Sequence, residues 1–373
     1  MKIIISGGGT GGHVFPAISI ANAVRKKCAD CEIRFVGAEG RLEMEKVPAA
    51  GYPIDGLWIS GFQRSLSLQN LLFPLKLASS LLKSYQIIRR FKPDVVAGVG
   101  GYASGPLLRV ATMLGIPALI QEQNSYPGIT NRLLAGRVQK ICVAYKEVER
   151  WFPKEKIVFT GNPVREGILN HNISRAAAAD HFGLQADKKI IFVTGGSMGA
   201  RGINEAVAAA LPQFAANDIQ VIWQTGKLYS VWAGEKAKDY AATVKCLPFI
   251  DRMEMAYQAA DVILSRAGAG AIAELCVVGK PTILMPSPFV AEDHQTANAM
   301  SLVQANAALM LRDSEAPQQL FGLVKQLLTD TPKADTLAKN IKTLAITNAA
   351  DSIADILLNL VQERTQNKSE FSL

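Results

Sequence analysis

A short apolar strand that runs into a glycine cluster and then into a helix narrows the folds open to this chain more than any other feature, and it recurs. The first copy reads "MKIIISGGGTGGHVFPAISIANAV". An isoleucine-rich run (2–6) leads into Gly7, Gly9 and Gly12 in G-x-G-x-x-G spacing, then His13 and a helical apolar pattern. Glycines let backbone bend sharply and approach an anion, and a helix N-terminus offers unpaired N–H groups. Related loops stand at 98–106 ("GVGGYASGP"), 195–204 ("GGSMGARGIN") and 265–275 ("SRAGAGAIAEL"). No G-x-x-x-x-G-K-[ST] occurs, which excludes a P-loop ATPase.

Strand-like runs alternate with helical patterns along the whole chain. In the first half they lie at 2–6, 32–37, 94–100, 117–122, 140–145 and 156–161, with helical stretches at 16–27, 66–91 and 104–115. In the second half they lie at 188–196, 220–226, 244–250, 261–268 and 281–286, with helices at 202–214, 251–260, 270–278 and 293–305. Such alternation predicts an α/β fold with parallel sheets flanked by helices. A length of 373 residues exceeds what one core supports, so two Rossmann-like domains are expected. Pro163 breaks the pattern and marks a linker near 162–170. The expected division is 1–163 and 164–344, with a helical tail at 345–373 packing back on the first domain.

No run reaches the roughly 18 apolar residues of a membrane span, and the N-terminus reads as a strand rather than a signal peptide. A cytoplasmic protein is the expectation. Cys28 and Cys31 form a lone C-x-x-C without a second pair or neighbouring histidines, which reads as two reduced thiols. Charge is unevenly spread. Met1–Arg165 holds 22 Lys+Arg against 11 Asp+Glu, a balance of +11; the remainder holds 18 against 21, a balance of −3. A basic first half suits an anionic partner such as a nucleic acid or a membrane surface.

Taken alone, the first loop would equally suit a dinucleotide-binding domain, with Glu39 as the ribose-binding acid. The recurrence of the loops, the placement of His13 and the acidic Glu274 inside the last element weigh against an NAD-dependent oxidoreductase. A non-catalytic membrane adaptor would have no need of the Glu274 and Gln295 segments.

"GGGTGGHVFPA", "GVGGYASGP", "QEQNSYPG", "GNPVR", "GGSMGARGIN", "SRAGAGAIAEL" and "AEDHQTANA", in that order over nearly the whole chain, resemble the MurG family of bacterial glycosyltransferases. The resemblance implies a GT-B fold, with two Rossmann-like domains facing each other across a cleft. It implies transfer of N-acetylglucosamine from UDP-GlcNAc to the C4 hydroxyl of the muramyl sugar of lipid I, with inversion. The product is lipid II for peptidoglycan. No cofactor or bound metal is implied, and no nucleic acid. A UDP-GlcNAc 2-epimerase of the same fold is the nearest alternative.

Site residues follow from residue type and resemblance together. The resemblance points to Arg165 and Ser197 as diphosphate partners, to the backbone of Ile250 as the uracil reader and to Gln295 as a contact to sugar hydroxyls. Glu274 suits the ribose, because one carboxylate accepts from two hydroxyls. Relatives often carry Thr or Ser where this chain has Ala271 and Ala273, so backbone N–H groups must serve the phosphates there. An acceptor hydroxyl needs a base, and His13 titrates near neutrality; Glu122 is the second candidate. Thr10, Gly11, Gly12 and Asn124 would touch the donor sugar, and Gly9, Gly101, Tyr102 and Ser104 would hold the acceptor.

One segment suits a lipid surface. Leu71, Leu72, Phe73 and Leu75 crowd around Pro74 beside Lys76, with more basic residues on either side. Apolar residues among cations read as a patch that dips into headgroups. For 80–91 an ordinary amphipathic helix packed on the sheet is expected instead. The resulting expectation is a peripheral enzyme on the cytoplasmic face of the bacterial inner membrane. It would meet an anionic surface and work in cell-wall synthesis, cell shape and cell division, beside other proteins of those processes.

Overall fold

The isoleucines of the opening stretch form β1 (Lys2–Ser6), and Ile3, Ile4 and Ile5 are wholly buried. A strand covered on both faces reads as a continuous apolar run, which is why the alternation of a half-exposed strand is missing here. The computed structural model describes residues 1–61, 72–169, 172–289 and 293–370. The chain divides into two units, Met1–Val164 with Thr347–Leu373, and Arg165–Ile346.

In the first unit, β1 is joined by β2 (Glu32–Ala38), β3 (Ile54–Leu57), β4 (Val95–Gly98), β5 (Ala118–Glu122), β6 (Lys140–Val143) and β7 (Ile157–Phe159). The order is β3-β2-β1-β4-β5-β6-β7, parallel throughout. The second unit holds β8 (Lys189–Thr194), β9 (Ile219–Gln224), β10 (Val244–Leu247), β11 (Val262–Ser265), β12 (Thr282–Leu284) and β13 (Leu309–Met310). Its order, β10-β9-β8-β11-β12-β13, repeats the same doubly wound plan. In such sheets ligands gather at the carboxyl ends of the strands, where the winding reverses. The reversals fall between β1 and β4 and between β8 and β11. The four glycine loops are the segments that leave those four strands.

The sequence expectations needed correction in several places. Helix α1 (Gly11–Lys27) opens five residues before the apolar pattern begins, because the loop glycines already take helical backbone. Helix α2 (Glu43–Ala49) and β3 were not expected; α2 is too short to show a helical period, and Asp55 and Gly56 interrupt the apolar run of β3. Cys28 and Cys31, expected as free thiols, are joined as a disulfide with Cα atoms 5.5 Å apart. The chain turns there, Cys31 N–H donating to the Cys28 carbonyl (3.2 Å), and this brings the two side chains together.

The helix Ala349–Glu370 belongs to the first unit, where Ile353, Ala354, Leu357 and Leu360 share a core with Val14, Ala17, Ile20 and Val24 of α1. The helix Phe73–Phe91 buries Ser80, Ser84, Ile87 and Ile88 and is amphipathic. Its other face leaves Leu72, Leu75, Leu82 and Tyr85 exposed. Of the lipid-facing residues expected from sequence, Leu71 lies outside the described residues, and Phe73 packs partly into the core. No described helix is long and apolar enough to cross a membrane.

Candidate active site

In the first unit, the loop after β1 and the loop after β4 interlock through their glycines. Gly101 (φ +87°) sits so close to the backbone of Gly8 that a Cβ there would overlap the Gly8 carbonyl. Gly100 (φ +94°) faces the His13 ring, whose Cδ2 would lie 2.6 Å from an added Cβ. Only glycine combines the left-handed backbone with this approach.

His13, in the first turn of α1, points back into the loop, and its Nδ1 lies 3.0 Å from the Gly8 carbonyl. A carbonyl only accepts, so the neutral ring carries its proton on Nδ1 and leaves Nε2 as a lone pair. Burial pulls the His13 pKa below its ordinary value, against the opposing pull of Glu122, the Gly8 hydrogen bond and Glu43. The ring is therefore neutral and basic at pH 7.

Glu122 ends β5 and is buried. Its Oε1 accepts from the Asn124 amide (3.0 Å) and side chain (3.3 Å), and its Oε2 from Gly128 N–H (3.0 Å) and Asn131 Nδ2 (2.8 Å). With four donors already on it, the carboxylate orders the 122–131 loop. This geometry does not suit the expectation of a second base. Ser104 also departs from expectation. It is wholly buried, with its hydroxyl 2.8 Å from the Gly100 carbonyl and 3.0 Å from the Ser6 carbonyl, turned away from any acceptor. The Gly9 amide likewise faces inward, donating to Glu43 Oε2 (2.8 Å) rather than outward to a phosphate. Gly11 and Gly12 open α1, where amides have no intrahelical acceptor, while Thr10 and Tyr102 are exposed. Glu39, the ribose acid of the dinucleotide reading, is instead paired with Lys83 (3.0 Å).

In the second unit, Ser197 is half-buried in the turn Gly195–Gly199, four residues ahead of the helix Arg201–Ala216. Gly199 (φ +81°) packs directly on Thr225 and Gly226. Glu274 lies within the helix Ala269–Val278, whose N-cap is Gly268. Arg165 grips it with two hydrogen bonds, Nε to Oε1 at 2.7 Å and Nη2 to Oε2 at 2.8 Å, and the Tyr257 hydroxyl donates to Oε2 (3.1 Å). Burial and the Glu274 charge push the Tyr257 pKa well up, so it stays a donor. Two residues expected to hold different parts of a ligand are thus each other's partners. The Ile250 amide is also occupied, donating to Gln224 Oε1 (2.9 Å), and its side chain is core. Gln295 accepts from Ser287 N–H (2.9 Å) through Oε1, and among the described residues nothing takes its Nε2.

Two residues that hold these loops were missed from sequence. Glu43 lies under the first loop. Arg266, beside the last loop, pairs with Asp313 through Nη2 (2.8 Å) and donates through Nη1 to the Met285 and Pro286 carbonyls (3.0 and 3.1 Å). Arg266 adjoins a glycine-rich stretch in the sequence, whereas nothing near Glu43 in the sequence marked it.

Residues 3–143 match the glycosyltransferase family 28 N-terminal domain, and residues 190–356 the glycosyltransferase family 28 C-terminal domain. A Flavobacterium psychrophilum protein named UDP-N-acetylglucosamine–N-acetylmuramyl-(pentapeptide) pyrophosphoryl-undecaprenol N-acetylglucosamine transferase is 50% identical over 365 residues, covering 97% of this chain and 98% of the relative. The crystal structure of Acinetobacter baumannii MurG superposes with a TM-score of 0.71 at 27% identity, covering 96% of this chain and 99% of that one. The two parallel sheets are those of a GT-B protein. A UDP-GlcNAc 2-epimerase from Neisseria meningitidis reaches a TM-score of 0.71 at 17% identity, covering 96% of this chain and 100% of that one, and shares the fold alone.

Proposed function

The chain belongs to glycosyltransferase family 28, and on that premise we propose that it moves N-acetylglucosamine from UDP-GlcNAc to the C4 hydroxyl of the muramyl sugar of lipid I, giving lipid II. The observation that carries this reading is His13: a neutral imidazole, Nδ1 on a carbonyl, at the point where the first sheet reverses its winding.

The chemistry is a single displacement. His13 Nε2 takes the proton of the acceptor hydroxyl, whose oxygen bonds to the anomeric carbon as that carbon's bond to UDP breaks, with inversion. Negative charge grows on the departing diphosphate, and fixed dipoles stabilise it best where they are already aimed. The helix Arg201–Ala216 behind Ser197 and the helix Ala269–Val278 behind Gly268 present their N-termini for this. The free Nε2 of Gln295 suits a sugar hydroxyl.

The Arg165–Glu274 pair gives the second unit an exchange to perform. Ribose hydroxyls take over Glu274, and the released Arg165 turns to the diphosphate. Each charge then finds a new partner, so neither is left buried alone. Glu122 and Ser104 act by holding the loops. Tyr102 and Gly101 remain on the acceptor side, and Gly11 and Gly12 remain toward the donor sugar. Leu72, Leu75, Leu82 and Tyr85 recur along one exposed side of their helix, close to Lys76 and Lys83. This stripe supports peripheral attachment to an anionic membrane, where a lipid-tailed acceptor would be met.

The test is incubation with labelled UDP-GlcNAc and a lipid I analogue. Labelled disaccharide and free UDP are expected. Release of the C2 epimer of the sugar, with no disaccharide, would favour the epimerase.

A further inference from the structure

Glu43 is wholly buried at the start of α2, and the chemistry above gives it no task. Its carboxylate meets only backbone: Oε2 accepts from Gly9 N–H at 2.8 Å and Oε1 from Ala38 N–H at 2.9 Å. Among the described residues no Lys, Arg or His pairs with it. A buried carboxylate held by two amides alone is an expensive arrangement for a fold to keep. The surrounding chain makes room for it with glycines. A Cβ on Gly8 would overlap the carboxylate, and one on Gly37 would come within 2.5 Å of Glu43 Cγ.

The connection to His13 runs through one peptide group. The N–H that Glu43 binds is that of Gly9, and the carbonyl of the same peptide, that of Gly8, is the acceptor for His13 Nδ1. In a trans peptide these two groups point in opposite directions, so carboxylate, peptide and imidazole form a continuous chain. Negative charge at one end polarises the peptide and strengthens the hydrogen bond at the other. We infer that Glu43 is a positioning residue for the reaction, acting on His13 through the single Gly8–Gly9 peptide that joins them. It fixes the ring orientation and keeps the proton on Nδ1, leaving Nε2 as the basic nitrogen. This rests on His13 being the base. The charged groups facing the ring are Glu43 from α2 and Glu122 from the end of β5.

The test compares Glu43→Gln, Glu43→Asp and His13→Ala in the full chain, with UDP-GlcNAc and a soluble lipid I analogue. Glu43→Gln keeps length but removes the charge; Glu43→Asp keeps charge but is too short to reach Gly9. For Glu43→Gln, kcat should fall about tenfold or more, with the KM for UDP-GlcNAc within about twofold of the parent. The acid limb of the pH profile should move to lower pH, because one of the two anions facing His13 is gone. Glu43→Asp should lower kcat with a smaller movement of that limb. Parental kcat and an unmoved limb in Glu43→Gln overturn the inference, as do equal losses in kcat and in donor affinity. If Glu43→Gln does not fold by circular dichroism, Gly37→Ala, which presses on Glu43, takes its place; a kcat-selective loss supports the inference and a parental kcat overturns it. If His13→Ala retains more than a tenth of kcat, the base assignment itself fails. If His13→Ala is crippled while Glu43→Gln is not, only the role of Glu43 fails.

Discussion

The loops after β1 and after β8 begin alike, with glycines between the first strand of a sheet and its first helix, yet they are built to opposite electrostatic ends. The first has a buried carboxylate beneath it, Glu43, which turns the Gly9 amide inward, and a neutral histidine at its mouth. The second is held by backbone packing of Gly199 on Thr225 and Gly226, and no carboxylate binds its amides among the described residues. A loop with an anion under it is a poor seat for another anion and a good seat for a base. A loop of glycines ahead of a sixteen-residue helix is the reverse when the carboxylate beside it, Asp313 against Gly202, is already neutralised by Arg266. The same sequence signature therefore does not predict the same ligand. What decides is the side chain that a distant segment slides underneath.

Mutations on the two sides should separate in kinetics. The largest effect is expected for His13→Ala, which should lower kcat by roughly 10²–10⁴ while leaving the KM for UDP-GlcNAc nearly unchanged. A loss under tenfold would erase the contrast between the loops. Next comes Glu274→Ala, which should raise that KM at least tenfold. It should also destabilise the chain by roughly 3 kcal/mol, because Arg165 is left without its buried partner. Thermal unfolding with and without UDP separates the two effects. If KM stays put while stability drops, Glu274 is structural only.

The pH dependence sharpens the same comparison. Burial lowers the His13 pKa, so the base stays neutral as pH falls past the ordinary histidine value of about 6.5, and activity is lost only below it. Measured kcat/KM should accordingly stay level down to about pH 6.5 in the parent. A limb above pH 7 would mean that a different group titrates. The smallest effect belongs to the exposed helix face. Replacing Leu75 and Leu82 by Ser should weaken association with anionic vesicles severalfold and leave turnover of a soluble acceptor unchanged. Equal vesicle binding would remove that face from the account.

Much of the architecture was legible because parallel strands buried on both faces announce themselves as apolar runs, as "KIIIS" and "KIIFV" do. β3 and α2 were not, since Asp55 and Gly56 interrupt the apolar run of β3 and α2 is a seven-residue helix with Pro48 inside it. That gap hid Glu43, the residue that gives the first loop its character, because only tertiary packing brings position 43 under position 9. Ser104 misled for the converse reason. It stands in a glycine-rich loop, but β1 offers it a carbonyl and turns its hydroxyl inward. Arg165 and Glu274 were each marked as ligand-binding, yet their mutual pairing joins positions 109 residues apart and has no local trace in the sequence.

The division of labour between the two glycine loops is tested most directly by a crystal structure with UDP bound. Nucleotide lying against Ser197, with its ribose on Glu274 and the Arg165 pair opened, is the predicted result. Nucleotide seated on Gly7–Gly12 beside His13, with Arg165 and Glu274 still joined, would contradict it.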